Sequence, residues 1–341
     1  MKKYTKLDEN IREVLLSASL KKFKKLKLRK NGVYGREKKN ILHLLCKYKC
    51  FNIIKYLIDK SKALIKSLTK HKNSVLHYSA ESGDLRSIIY LLKKEPSLLN
   101  TLNQKNQSPL HLASKNAHED VCIFLIKKGA EVNIQDKYGW AVGHWAAANK
   151  MLDLLNFLKT TNYNFSLENN RKENILHCAT WSGSITCFEF AFDYCSIHSA
   201  SKKGTIGIYC KGNWELLAHI LDRKYIKPRS IEKCLYSIGT PLEIFKHFNI
   251  EARLSEVLAY DRSDILDWMF KSQGLSIGNL YYLIYNSHVP QPKCRKWLVK
   301  TWSWEKSKGL LYAYTYGNGA IKKISVGIVR DILGLLVGKI Q

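Results

Sequence analysis

The chain has 341 residues, of which 45% are hydrophobic, and carries a formal charge of +28. The apolar share excludes wholesale disorder, and the length suits two ordinary domains or one elongated array. The longest apolar run, 332–337, is far shorter than the ~20 residues a membrane-spanning helix needs, so no transmembrane segment is expected.

Residues 1–38 form a basic leader with 13 basic against 4 acidic side chains. Its stretch "KKFKKLKLRK" sets Lys21, Lys22, Lys24, Lys25, Lys27, Arg29 and Lys30 around Phe23, Leu26 and Leu28. Such a run suits an importin, an anionic surface or nucleic acid, and equally a solvated charged tail. The preceding segment 10–20 has helical spacing and is expected to cover the first of the units that follow.

From residue 39 a period emerges. His43, His77, His111, His144 and His177 stand in similar apolar contexts at spacings of 34, 34, 33 and 33. The residue before each is Leu42, Leu76, Leu110, Gly143 and Leu176, and two positions after each lie Leu45, Ser79, Ala113, Ala146 and Ala179. Small residues in that column let two helices approach closely. Fourteen positions after the histidine come Leu57, Leu91, Leu125, Leu158 and Ala191, the apolar face of a second helix. Gly129 and Asn133 mark a helix stop and a turn. A histidine recurring at repeat spacing reads as structural, because a catalytic one has no reason to recur.

This pattern resembles the ankyrin-repeat family, whose unit of about 33 residues carries a T-P-L-H signature, two antiparallel helices and a protruding β-turn. The resemblance covers 39–204, with five clear units. Its best match is 106–138, where Ser108-Pro109-Leu110-His111 stands for the signature. Ser74, Asn40 and Asn174 can also hydrogen-bond at the first signature position, whereas Ala141 cannot, so the fourth unit, with Ala141 and Gly143, is expected to begin its helix loosely. The resemblance implies an all-α ankyrin-repeat solenoid of helix-turn-helix repeats with short β-turn tips, continued by degenerate helical repeats. It also implies histidines that brace the helix start, and a non-enzymatic scaffold that binds proteins on its concave face.

After residue 204 the histidine disappears, but "GNWELLAHILD" and "LAYDRSDILDWMF" keep a helical cadence resembling the second half of the unit. Residues 205–300 are therefore read as degenerate ankyrin-like or helical repeats, with Pro228, Pro241, Pro290 and Pro292 between helices. Residues 301–341 are read as a C-terminal helical cap, since Ile324, Ile328, Ile332, Leu335 and Leu336 share one helical face. That tail also resembles the F-box-like element of some viral and bacterial ankyrin proteins, although Ser325-Val326 stands where that element has Leu-Pro.

Enzyme motifs are absent from the sequence: no Walker loop, no dinucleotide fingerprint, no HExxH, no GxSxG. Nine cysteines, an odd number without a CxxC pair, are expected as reduced thiols. Cys187, Cys195 and His198 lack finger or ribbon spacing, so neither a metal nor another cofactor is expected. The residues expected to contact a partner are Lys115, Asn116, Lys137, Tyr138, Trp140 and Trp181, with Trp140 and Trp181 in one patch flanked by the two lysines and Trp145 buried. Aromatics with basic neighbours suit an acidic or amphipathic protein partner. Alternative functions are a ubiquitin-ligase substrate receptor using the tail, and nucleic-acid binding through the leader. Lysine-rich composition and eroded repeats point to a pathogen-encoded, host-directed protein in eukaryotic cytoplasm or nucleus.

Overall fold

The computed structural model describes residues 20–25, 33–34, 39–60, 64–197, 200–202, 204–210, 212–225, 235–236, 239–247, 254–273 and 293–294. Contacts divide the chain at Thr240–Pro241 into two units. In the first, a short helix α1 (Leu20–Lys25) precedes five helical hairpins. These are α2 (Ile41–Lys47) with α3 (Phe51–Lys60), α4 (Val75–Ser82) with α5 (Leu85–Lys94), α6 (Pro109–Lys115) with α7 (Glu119–Lys127), α8 (Val142–Ala148) with α9 (Leu152–Lys159), and α10 (Ile175–Ser182) with α11 (Ile185–Phe192). Each inner helix packs on the next, α2 on α4, α4 on α6, α6 on α8 and α8 on α10. The fold is the all-α repeat array that the 33-residue period implies.

The period is enforced by one imidazole per repeat. In every unit the Nδ1 of the histidine accepts the main-chain N–H three residues earlier, from Asn40 (3.2 Å), Ser74 (3.1 Å), Ser108 (3.2 Å), Ala141 (3.1 Å) and Asn174 (3.3 Å). The opposite nitrogen, Nε2, donates to a main-chain carbonyl in the segment leading to the next repeat: Ser67 (3.1 Å) for His43, Gln107 (2.9 Å) for His77, Ile134 (3.0 Å) for His111 and Glu173 (3.2 Å) for His144. An acceptor at Nδ1 and a donor at Nε2 define the neutral tautomer protonated at Nε2. The histidine is thus half of a capping box and also a tie to the next unit.

Between the two helices of each hairpin one residue takes a left-handed conformation: Lys49, Gly83, Ala117, Lys150 and Gly183. The following N–H then closes back on the inner helix, as in Asp84 to Ser79 O (3.0 Å) and His118 to Ala113 O (3.0 Å). Glycine is required where the next repeat leans on this turn. A Cβ on Gly83 would lie 2.5 Å from the ring of His118, and one on Gly183 would meet the Asn213 amide.

The fourth repeat starts its helix without a side-chain cap, since Ala141 has no oxygen to offer, but its Gly143 is not a loose point. Any Cβ there would collide with the hydroxyl of Tyr163, which is buried on the same repeat. The third repeat has Leu110 and Ala130 at these two places, the fourth Gly143 and Tyr163, so the large and small partners are exchanged and the volume is conserved.

The array continues beyond the last histidine. A two-stranded hairpin, Ala200–Ser201 with Gly204–Thr205, leads into α12 (Ile206–Tyr209), which packs on α10 and is followed by left-handed Gly212 and α13 (Trp214–Asp222). Thr205 therefore occupies the strand-to-helix junction that Asn40 occupies in the first repeat, with Ile208 in the histidine position. The same left-handed closure recurs at Gly239, where the Thr240 N–H bonds Leu235 O at 3.2 Å.

The second unit contains α14 (Leu242–His247), α15 (Leu254–Ala259) and α16 (Ser263–Gln273), with a left-handed Asp261 between the last two. Its carboxylate accepts the N–H groups of Lys293 (2.9 Å) and Cys294 (2.8 Å). Pro241 immediately precedes α14; Pro228, Pro290, Pro292 and the tail 301–341 lie outside the described residues. Of the described residues, no helix is long and apolar enough to cross a membrane.

Burial pushes the imidazoles of His43, His77 and His144 down to about 4, and His111 in the same direction. Their folded values lie below the unfolded ~6.5, so between about pH 6.5 and 4 the unfolded state binds more protons than the folded one. This contribution is complete above about pH 6.5 and is lost as pH drops through about 4. The melting temperature should therefore fall steeply across that window, as a scan at constant ionic strength will show. Gly143→Leu should destabilise by about 1–3 kcal/mol through overpacking. Adding Tyr163→Ala should restore most of it in urea titration, which no independent pair of substitutions would do.

Candidate functional site

Counting from the brace histidine, the concave side of the first unit carries one column just before the inner helix, two columns on that helix and the row of tips. Four residues before it stand Lys39, Asn73, Gln107, Trp140 and Glu173; one after it Leu44, Tyr78, Leu112, Trp145 and Cys178; four after it Lys47, Glu81, Lys115, Ala148 and Trp181.

The tips are held by a column of short polar residues. Thr69, Asn103, Asp136 and Asn169 each turn a side-chain oxygen back onto the main chain four residues on, as Asp136 does to the Trp140 N–H (3.0 Å) and Asn169 to the Glu173 N–H (3.1 Å). Neighbouring tips are joined through main chain. Gln104 N bonds His71 O (3.0 Å), Lys137 N bonds Lys105 O (2.8 Å), Asn170 N bonds Tyr138 O (3.0 Å) and Lys202 N bonds Arg171 O (2.8 Å). These bonds fix the tip side chains in a row, with Lys105, Lys137, Arg171 and Lys202 exposed.

Across repeats one to three the tips and inner helices enclose a groove of about 400 Å³, with Tyr78 and Leu112 in its wall and Lys39, Lys47, Lys105 and Lys115 around it. Lys39 lies over the Tyr78 ring at 5.1 Å, and that ring meets His43 edge-on. In repeats four and five the surface turns aromatic. Trp140 is half-buried and stacks on Trp145 at 4.3 Å, with Lys115 Nζ 5.5 Å from the Trp145 ring. Trp145 is thus half-buried rather than fully enclosed, an outcome of its position one residue after the histidine, on the concave side.

Trp181 is 61% exposed and Tyr138 53%. The ring partners of Trp140 are His144 and Trp145, and Trp181 stands eight positions further along its repeat than Trp140 does along its own. Trp140 thus clusters with Trp145, over which Lys115 lies, and Trp181 stands exposed on the inner helix of the next repeat. Asn116 is exposed and caps its own helix through Leu112 O (2.8 Å), while Asn149 reaches back to cap the preceding repeat at Ser114 O (2.8 Å). Asn133 holds the loop of the next unit, donating to Asn162 O (2.9 Å) and accepting from Asn164 N (2.8 Å).

The convex side has an aromatic column that the sequence reading missed, although it follows the same spacing: Tyr56, Tyr90, Phe124, Phe157 and Phe190, all half-buried. Four of these rings are covered by the chain's own lysines, Lys60 over Tyr56 (4.8 Å), Lys94 over Tyr90 (5.3 Å), Lys128 over Phe124 (5.6 Å) and Lys127 over Phe157 (5.6 Å). The rings and lysines there satisfy one another, which leaves the concave side as the better-prepared surface.

Of the leader, α1 packs on α3 with Phe23 buried and Lys21 exposed, so this part is attached to the array; Lys27, Arg29 and Lys30 lie outside the described residues. Among the described residues, no cluster of three or more His, Cys, Asp or Glu is arranged for a metal. Burial pushes the thiols of Cys46 and Cys50 up, to about 12 and 11, which makes them unreactive. A family model described as ankyrin repeats in three copies matches residues 13–101 and 62–136. Those windows run from the leader through the third repeat, and the braces at His144 and His177 repeat the same geometry beyond them.

Trp140→Ala should lower stability by about 1–2 kcal/mol, because it removes a stacked, half-buried ring. Trp181→Ala should leave the melting temperature unchanged. Thermal unfolding of the two variants side by side checks the assignment.

Proposed function

Because the chain belongs to the ankyrin-repeat family, we propose that it is a non-enzymatic adaptor whose concave face captures an acidic or amphipathic protein. One observation carries this reading: the inner columns and tips present lysines and aromatics on a main-chain-bonded scaffold, whereas four of the five convex aromatics are already covered by lysines. Proteins of this family generally act through protein–protein contacts. Lys115, Lys137, Tyr138, Trp140 and Trp181, with Trp145 added, are the residues proposed to meet the partner. Exposed aromatics at an interface centre supply most of the affinity, and rim lysines speed encounter. A host-directed role in eukaryotic cytoplasm or nucleus belongs to the same proposal and rests on the lysine-rich composition.

A second reading, binding of nucleic acid through the leader, is favoured by the net charge of +28 and by exposed Lys21. The two differ in salt dependence, which is steep for phosphate contacts. Photo-crosslinking from position 181 or 138 in eukaryotic extract should trap a protein, and Trp181→Ala should weaken its capture by about tenfold without loss of folding. Crosslinks confined to the convex helices, or RNA recovered in place of protein, would overturn the adaptor reading.

A further inference from the structure

The concave face changes character along the array. Over repeats one to three the groove residues include four lysines, Lys39, Lys47, Lys105 and Lys115, against one carboxylate, Glu81. Lys47 and Lys105 have no ion-pair partner among the described residues. Over repeats four and five the corresponding columns hold Trp140, Trp145 and Trp181, with small Ala148 in the last column of repeat four. Of the carboxylates at this end, Asp136 and Glu173 are buried and hydrogen-bonded, and exposed Glu168 is paired with Lys172 at 3.3 Å.

We propose that the partner binds as an extended segment with an acidic half and an apolar half, laid in one direction with its acidic half on repeats one to three and its apolar half on repeats four and five. This rests on the adaptor reading and specifies the chemistry and orientation of what is bound. Charge complementarity selects the acidic half, since the unpaired lysines gain a counter-charge and lose no internal bond. The indole faces select the apolar half.

Length follows from the repeat. Packed helices lie about 8–10 Å apart, so the four steps from Lys47 to Trp181 span roughly 32–40 Å. An extended chain at about 3.3 Å per residue covers that with about 10–12 residues. A helical segment would need about twice as many. Over repeats one to three the tips and inner helices border a groove rather than a flat surface, which suits a single extended strand there.

Selection of a library of 16-residue displayed peptides on the full chain tests this. The enriched peptides should carry Asp and Glu in one half and Leu, Phe or Trp in the other, in one constant order. For the tightest of them, exchanging its two halves should weaken binding at least tenfold. Lys47→Glu with Lys105→Glu should cost at least tenfold, and Trp181→Ala at least fivefold, with helical content unchanged in both. Enrichment without that order, halves that can be exchanged freely, or displacement of the peptide by a 20-nucleotide single strand at equal concentration would overturn the inference. If a natural partner still crosslinks to the concave face in that event, the adaptor reading stands and only the orientation and chemistry proposed here fall.

Discussion

The architecture depends on an imidazole that uses both nitrogens on main chain. One accepts the N–H at the start of its own helix and the other donates to a carbonyl at the approach to the next repeat, as His77 does to Ser74 and Gln107. A hydroxyl can also donate and accept, but its single oxygen cannot span two main-chain groups on opposite sides of a ring's width. Because the ring is rigid, the two bonds set the distance and angle between a helix start and the neighbouring unit, and the same setting recurs at His43, His77, His111 and His144. The concave surface inherits its regularity from this: tips are joined through main chain only because each helix start is held in the same place. Burial keeps the rings neutral, and neutrality keeps Nδ1 an acceptor.

Much of this was legible in the residues. Five histidines at 33–34-residue spacing, a small residue two positions later and an apolar second helix were sufficient for the hairpin, the stacking direction and the role of the histidine. What could not be read was exchange between distant places. Gly143 looks like a defect until Tyr163, twenty residues on, is seen to occupy the missing leucine's volume. Likewise the unit starting at Thr205 is hidden because Ile208 replaces the histidine, yet its Tyr209 meets His177 edge-on at 5.1 Å as Tyr78 meets His43 at 5.5 Å. Packing preserved the contact after the signature was lost.

The candidate site was less legible than the fold for a related reason. Exposure of an aromatic depends on what neighbouring repeats place beside it, and sequence columns alone do not give that. Trp140 and Trp181 look equivalent as tryptophans in adjacent repeats, but one precedes its helix and stacks on Trp145 while the other projects from the fourth position after the histidine. Lys115 looked like a rim charge and instead lies over an indole, where it can still offer its charge to a partner. The convex aromatics show the opposite outcome, since each covered ring there engages a lysine of the chain itself.

A repeat array separates stability from recognition, and this chain uses the separation unevenly. Brace histidines, left-handed turns and tip side chains bond to main chain, so they constrain the backbone while leaving the three concave columns free to vary. Where the columns vary, lysines collect at one end and tryptophans at the other. Part of each group is not needed to hold the helices: Lys47 and Lys105 make no ion pair among the described residues, and Trp181 is mostly exposed, whereas Trp140 and Trp145 stack on each other and add to stability. Residues that contribute little to folding and still form an ordered gradient across five repeats are the ones on which a binding function can act, because their replacement alters the surface without altering the spacing that presents it.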